Sequence, residues 1–356
     1  GARSIRRAVG RTAARGVARR TAVVVSAAAD VAPQKVLIVN TNGGGHANIG
    51  FWLAKTLAAA GHGVVVCTVG AEDDKKMAKP PFAYWGELQA AGVTCVWADP
   101  EEIAGKMGTV AFDVVVDNNG KDMASVGPVA DFAVQCGAKQ FLFVSSAGMY
   151  KPTPTPPHLE GDAVKETAGH AVVEAYLKTL PLAMSSFRPQ YFTGYGSNKD
   201  CEEWFFDRLV RGRPVPVPGS GDQLAVVAHA EDVATMMAAA IGNDKAHGQI
   251  FNAVTTKAVT LNGMVQLCAA AAGVEANIVN YDPAAVEGVE VGKAFPFRPI
   301  HFYSYPAKAL ELLDWQPKHE LKADLKERFE FYMASGRGDK EMKFEMDDKI
   351  LAAVNY

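Results

Sequence analysis

Cysteine is scarce and badly spaced for metal or disulfide chemistry: Cys67, Cys95, Cys136, Cys201 and Cys268 include no Cys-x-x-Cys pair and mostly sit inside apolar patterns. An odd, scattered set argues against a disulfide framework and a cysteine zinc site, and fits small core residues in a reducing compartment. No apolar run approaches the roughly 20 residues that span a bilayer, so no membrane insertion is expected. Internal repeats and a ribonucleoprotein-type aromatic signature are also missing. Acids and lysines are absent from the first 26 residues, which hold Arg3, Arg6, Arg7, Arg11, Arg15, Arg19 and Arg20 and run into small residues at Ser26 to Ala29. Residues 1–30 therefore read as an organelle transit peptide, or as a disordered basic arm that holds nucleic acid. Without those seven arginines the formal charge falls from −3 to −10, so a polyanion would have to meet a local basic patch on an acidic body.

What is present is apolar mass, 49% of 356 residues, enough for one large α/β domain or two smaller ones. The chain is organised around residues 35–51. A β-branched run, Val36 to Val39, meets the glycine cluster Gly43-Gly44-Gly45, and from Ala47 the apolar residues fall at helical spacing. Such a strand, turn and helix aims unpaired amides at an anion, with Gly44, Gly45 and Gly50 as the cofactor-binding candidates and His46 placed to meet a phosphate. The glycine spacing departs from the dinucleotide fingerprint, because Ala47 stands where its middle glycine belongs. A turn that only packs helix on strand is the competing reading.

Strand patterns at 63–69, 93–98, 112–117 and 140–144 alternate with helical ones, including 126–136, which implies a Rossmann-type doubly wound parallel sheet with ligands at the carboxyl ends of its strands. Thr68 ends the second strand where a dinucleotide site usually has an acid for the ribose. Asp117, Asn118, Asn119, Ser145 and Ser146 fall on the ligand edge. A proline-rich loop, a helix over 163–180 and a strand over 184–189 follow. The expected division is a nucleotide-binding core over 31–190, a smaller C-terminal α/β lobe over 191–335 interleaved with it, and a charged tail over 336–356.

Together these segments resemble the extended short-chain dehydrogenase/reductase superfamily. Phe143-Val144-Ser145-Ser146 is similar to its strand bearing the catalytic serine, and His229-Ala230-Glu231-Asp232-Val233 to one of its helix starts. The resemblance implies hydride chemistry that needs a tyrosine with a lysine four residues on. Aligning on Glu174 puts Glu166 and His170 at those places. The apolar segment along the cofactor becomes Asp117-Asn118-Asn119-Gly120.

Within the superfamily, Asp117 to Asp122, Gln140 to Gly148, Phe187 to Tyr191, residues 198–208 and Phe344 to Leu351 resemble the chloroplast stem-loop-binding proteins, a-type. That resemblance implies an RNA-binding protein of the chloroplast stroma. It also implies ribosome association, homo- or hetero-oligomers, and divalent-metal-dependent, probable Mg²⁺, endoribonuclease activity on stem-loops. Asp117 and Asp122, with Asn118 and Asn119, are the candidate ion-holding and catalytic set, against a plain strand-end turn. His170 is a candidate acid or base, or a half-buried helix residue. Lys199, Arg208, Arg211 and Arg213 around Trp204, Phe205 and Phe206 are the candidate RNA surface, although aromatics at helical spacing are more often core. A non-catalytic RNA scaffold and an NAD(P)-dependent nucleotide-sugar epimerase with residual cofactor binding are the alternatives.

Overall fold

Strand β1 (Lys35–Asn40) is buried from Val36 onward, as a Val/Leu/Ile run must be when helices cover both faces of a sheet. In this computed structural model, which describes residues 31–43, 45–197 and 201–356, β1 pairs in parallel with β2 (Gly63–Thr68) and β4 (Val114–Asn118). The basic arm at 1–30, Gly44 and Lys199 lie outside the described residues. Strands β3 (Thr94–Trp97), β5 (Gln140–Val144), β6 (Ala183–Pro189) and β7 (Gln249–Ala253) complete a seven-stranded parallel sheet of order 7-6-5-4-1-2-3. The strand order reverses between β1 and β4, which places the ligand crevice of a doubly wound fold above Asn40 and Asn118.

Eight helices carry the packing and the site: α1 (Ala47–Ala59), α2 (Met123–Gln135), α3 (Gly169–Leu177), α4 (Glu202–Leu209), α5 (Ala230–Ala240), α6 (Leu261–Ala272), α7 (Leu321–Ala334) and α8 (Glu345–Ala353). On one face of the sheet Phe51, Leu53 and Leu57 of α1 pack with Met236 and Met237 of α5. On the other face Val126 and Phe132 of α2 pack with Val173 and Leu177 of α3. A third cluster, built from Phe205, Phe206, Leu261, Val265, Leu325 and Tyr332, is the core of the C-terminal lobe. Residues 230–253 return to the main sheet through α5 and β7, so the lobe is threaded through the core fold.

Two segments differ from the sequence reading. The helix expected over 163–180 begins only at Gly169, because Ala168 is extended and Val164 bridges to Tyr150 instead. A Cβ at Gly169 would lie 2.3 Å from the Lys121 carbonyl, so the helix start needs glycine to approach the loop after β4. The charged tail is a docked element: Phe344, Asp347, Ile350 and Leu351 are buried, with Ile350 packed against Tyr281, Val286 and Ala294.

Candidate functional site

The switch-point crevice is held shut at its base by amides. Asn118 Nδ2 donates to Asn40 Oδ1 at 2.6 Å and to the His46 carbonyl at 2.8 Å, while Asn40 Nδ2 donates to the Ala47 carbonyl at 3.3 Å. Both side chains are buried, and Asn118 ties the glycine turn to the sheet through its Nδ2 while its Oδ1 has no hydrogen-bond partner. Gly50 is explained by the same pair: a Cβ there would stand 2.1 Å from Asn40 Oδ1 and 3.0 Å from Asn118 Nδ2. Gly45 is buried in the turn, and its carbonyl accepts from Asn48 N–H as the His46 carbonyl accepts from Ile49 N–H. His46 packs its ring 5.7 Å from that of Phe192.

Asp117 is fully buried. Its Oδ1 accepts from the backbone N–H of Asn119 at 2.9 Å and of Gly120 at 2.6 Å, and its Oδ2 has no partner. Burial pushes its carboxyl up to about 6, against the opposing pull of the Gly120 and Asn119 amides. Asp122 does a different job, capping α2 by accepting from Ser125 N–H at 3.0 Å. Hydrogen bonds from Ser125 hold its carboxyl below the usual range. The strand-end turn therefore accounts for Asp117 Oδ1 and for Asp122, while Asp117 Oδ2 and Asn118 Oδ1 are buried without partners. Among the described residues, the group of three His, Cys, Asp or Glu ligand atoms within 4.8 Å is His229, Glu231 and His319 instead. The two imidazoles there are stacked, 3.7 Å between centroids and 5° from parallel. An ion in the plane of one ring lies well out of the plane of the other, so these groups as placed pair with one another and do not ligate. His319 is held by Asp232 at 3.0 Å, which with Glu231 raises its affinity for a proton despite burial. Burial first, then the His319 charge, depresses His229 to about 3.

His170 sits half-buried at the start of α3, its ring 6.1 Å from Phe143, with burial lowering its pKa against the pull of Glu174 and Asp122. Glu166, expected four residues before it on one helix, lies outside α3 and is exposed. The superfamily's proton-relay pair therefore has no counterpart on α3. The nearby tyrosine, Tyr150, is buried, donates to Asn252 Oδ1 at 2.8 Å and is pushed up to about 12 by burial, away from the lowered pKa that a proton relay uses.

The arginines assigned to RNA are engaged by neighbouring groups, Arg208 in the interior and Arg211 and Arg213 nearer the surface. Arg208 forms a bidentate pair with Asp347 at 2.7 and 2.8 Å, donates to the Trp204 carbonyl and lies over the Trp204 ring at 3.4 Å. Arg211 donates to the carbonyls of Asp207, Arg337 and Lys340, and Arg213 pairs with Asp348 over the Phe344 ring. Phe205 and Phe206 are core. Arg208, Arg211 and Arg213 thus hold the C-terminal segment; Lys199, the fourth residue of the expected RNA surface, lies outside the described residues.

Two cavities were not legible in sequence. One, about 360 Å³, lies at the strand ends between His46, Ser146, Gln190, Tyr191 and Arg298, where Ser146 Oγ accepts from Gly148 N–H at 3.0 Å. The other, about 440 Å³, is lined by Lys79, Tyr84, Tyr195, Ser197, Phe331 and Arg337 among others. Their residues come from segments up to about 250 positions apart; Ser146 and His46, and the stretch Pro189 to Tyr191 as part of the resemblance, are those the sequence singled out at the first cavity.

Residues 43–253 match the model of the NAD dependent epimerase/dehydratase family. The chain is 34% identical over 341 residues, 93% of its own length and 87% of the relative's, to "Chloroplast stem-loop binding protein of 41 kDa b, chloroplastic" of Arabidopsis thaliana. The branch is the one the sequence segments pointed to; the letter differs. Among solved structures, an epimerase from Methanothermobacter thermautotrophicus superposes with a TM-score of 0.67 at 16% identity, covering 88% of this chain and 97% of that one. A UDP-glucose-4-epimerase from Stenotrophomonas maltophila, solved with bound NAD, gives 0.66 at 18% identity over 85% and 99%. These two likenesses concern the fold.

Proposed function

The chain belongs to the NAD dependent epimerase/dehydratase family, and from that premise we propose that it is a member turned from redox chemistry to binding structured RNA in the chloroplast. The observation that carries this reading is the relationship, over nearly the whole chain, to a protein named for stem-loop binding. The geometry agrees with it from the other side: α3 presents no tyrosine and lysine pair, and Tyr150 is locked in the interior. For a dinucleotide the fit is confined to the pyrophosphate end, at the glycine turn. At the ribose end Thr68, where the fingerprint has an acid, is buried and its hydroxyl accepts the Trp85 indole N–H at 3.1 Å. A stromal address and association with ribosomes extend the same reading.

Metal-dependent cleavage is the second reading, favoured by one observation, the unpartnered buried Oδ2 of Asp117. Asp117 Oδ2 and Asn118 Oδ1 are the buried oxygens that would hold such an ion, which would polarise a phosphate or activate a water. The test is a labelled hairpin incubated with the wild type and with Asp117→Asn, with and without Mg²⁺. Both proteins are expected to retain the hairpin; Mg²⁺-dependent cutting by the wild type alone would establish cleavage at Asp117, and equal cutting by both would remove Asp117 from it. Failure of the wild type to retain any hairpin would contradict the binding reading.

Asp117 also predicts a pH signature. Its folded-state pKa of about 6 lies above the ordinary value of 3.8, so the folded chain holds this proton more tightly than the unfolded one. Its contribution is fully present below pH 3.8 and lost as pH rises to 6, amounting to about 3 kcal/mol. The Asp117→Asn variant is expected to lack that loss, so the difference in urea stability between variant and wild type should change between pH 4 and 6 with a slope approaching one proton, about 1.4 kcal/mol per pH unit. A flat difference would show that Asp117 is ionised normally, as a bound cation would require.

A further inference from the structure

Arg208, Arg211 and Arg213 are engaged by the C-terminal segment, and the 440 Å³ cavity offers RNA another surface. Tyr84 and Tyr195 stack at 4.7 Å and 18°, and Phe331 of α7 continues the row 5.3 Å from Tyr195 with more than a third of its side chain exposed. Phe331 is the exposed end of a row whose two tyrosines are half-buried, and every nucleobase has a face that can cover such a ring. Lys79 stands exposed on the rim, with Lys75 and Lys76 just before it in the chain. Arg328 and Arg337 complete the wall but are paired with Glu202, Glu203 and Asp207, so Lys79 supplies the charge left for a phosphate. The wall also holds unused hydrogen-bonding capacity. Ser197 Oγ is buried without a partner, and behind Gly196 the buried amide of Asn48 has neither its oxygen nor its nitrogen satisfied. Buried polar groups are ordinarily paired, and unpaired ones gathered behind one cavity wall indicate a site shaped for something polar.

We propose that this groove is a stacking site for an unpaired nucleotide, the loop of a hairpin, with its base against Phe331 and Tyr84 and its phosphate at Lys79. The volume fits one nucleoside, within the range of small-ligand sites. The inference rests on the RNA-binding reading and names the part of the RNA that is read: the open loop, since a base inside a duplex cannot present its face.

The experiment uses the full chain, a hairpin with 2-aminopurine in its loop, and the same stem as a blunt duplex. Binding of the hairpin by the wild type is expected to change the 2-aminopurine emission as the base stacks. Phe331→Ala, and Phe331→Leu, which keeps apolar bulk, are both expected to weaken hairpin binding about tenfold or more. Neither should alter duplex binding. Lys79→Ala is expected to lower the salt slope of hairpin binding by about 0.7. Thermal unfolding of each variant certifies folding, and Phe331 is exposed enough for both to fold. If the wild type binds hairpins while all three variants bind them equally well, with the same emission change and salt slope, the groove is not the site and the RNA reading stands. If the wild type binds neither RNA, both readings fall.

Discussion

Replacing Arg208 by alanine is expected to cost about 3–5 kcal/mol of stability, because it leaves Asp347 as a buried carboxylate with no cation. Arg208 and Asp347 are both more than nine-tenths buried and share two hydrogen bonds across 139 positions of sequence. The loss should appear first as release of residues 336–356, since Arg211 and Arg213 hold the same segment by weaker and more exposed contacts. Limited proteolysis should then cut near Lys340 to Lys343, and urea unfolding should report the lowered midpoint. Asp347→Ala is expected to do the same, and the double variant to cost less than the sum of the two. Had Arg208 been a phosphate contact, the variant would keep its stability and lose RNA affinity in a salt-dependent manner; that outcome would overturn the clamp.

The second large effect is expected at Glu174. Arg188 of β6 donates to Glu174 of α3 at 3.0 and 2.6 Å, and its guanidinium lies 4.9 Å from the centre of the Tyr150 ring. Tyr150 in turn stacks on His158 and holds Asn252 of β7, so one buried network joins α3 to the strands β6 and β7. Glu174→Ala strands the Arg188 charge and is expected to cost about 3–5 kcal/mol, whereas replacing both partners by apolar residues of similar size should cost much less. Urea midpoints of the two variants check this. Equal losses would mean that packing volume, not the uncompensated charge, sets the cost.

The strands of the fold were legible because their residues say the same thing at every level. Val36 to Val39, Val64 to Val66 and Phe141 to Val144 are apolar on both faces, and only a helix-covered parallel sheet accommodates that. Gly50 was legible as a glycine that matters, but its reason was not: it makes room for the Asn40–Asn118 amide pair, which joins two strands 78 residues apart. The start of α3 was misjudged for a related reason, since the carbonyl that crowds Gly169 belongs to Lys121.

Site chemistry was less legible than fold because charge type does not reveal direction. Arg208, Arg211 and Arg213 look like a phosphate surface in a window of sequence, and their carboxylate and carbonyl partners lie far downstream in a segment that reads as solvated tail. Asp117 looks like a ligand until its Oδ1 is seen to accept the two amides that follow it. Tyr84, Tyr195 and Phe331 gave no signal, because they lie in three distant segments that only the packing of α7 brings into a row.

The central claim is that a fold of nucleotide-sugar enzymes here holds RNA and has given up hydride chemistry. Its most direct test is one preparation of the full chain assayed side by side for hairpin retention across a salt series and for NAD(P)-dependent turnover of a nucleotide sugar. Saturable hairpin binding that weakens steeply with salt, with no turnover, is the predicted result. Turnover of the sugar nucleotide with no hairpin retained would contradict it.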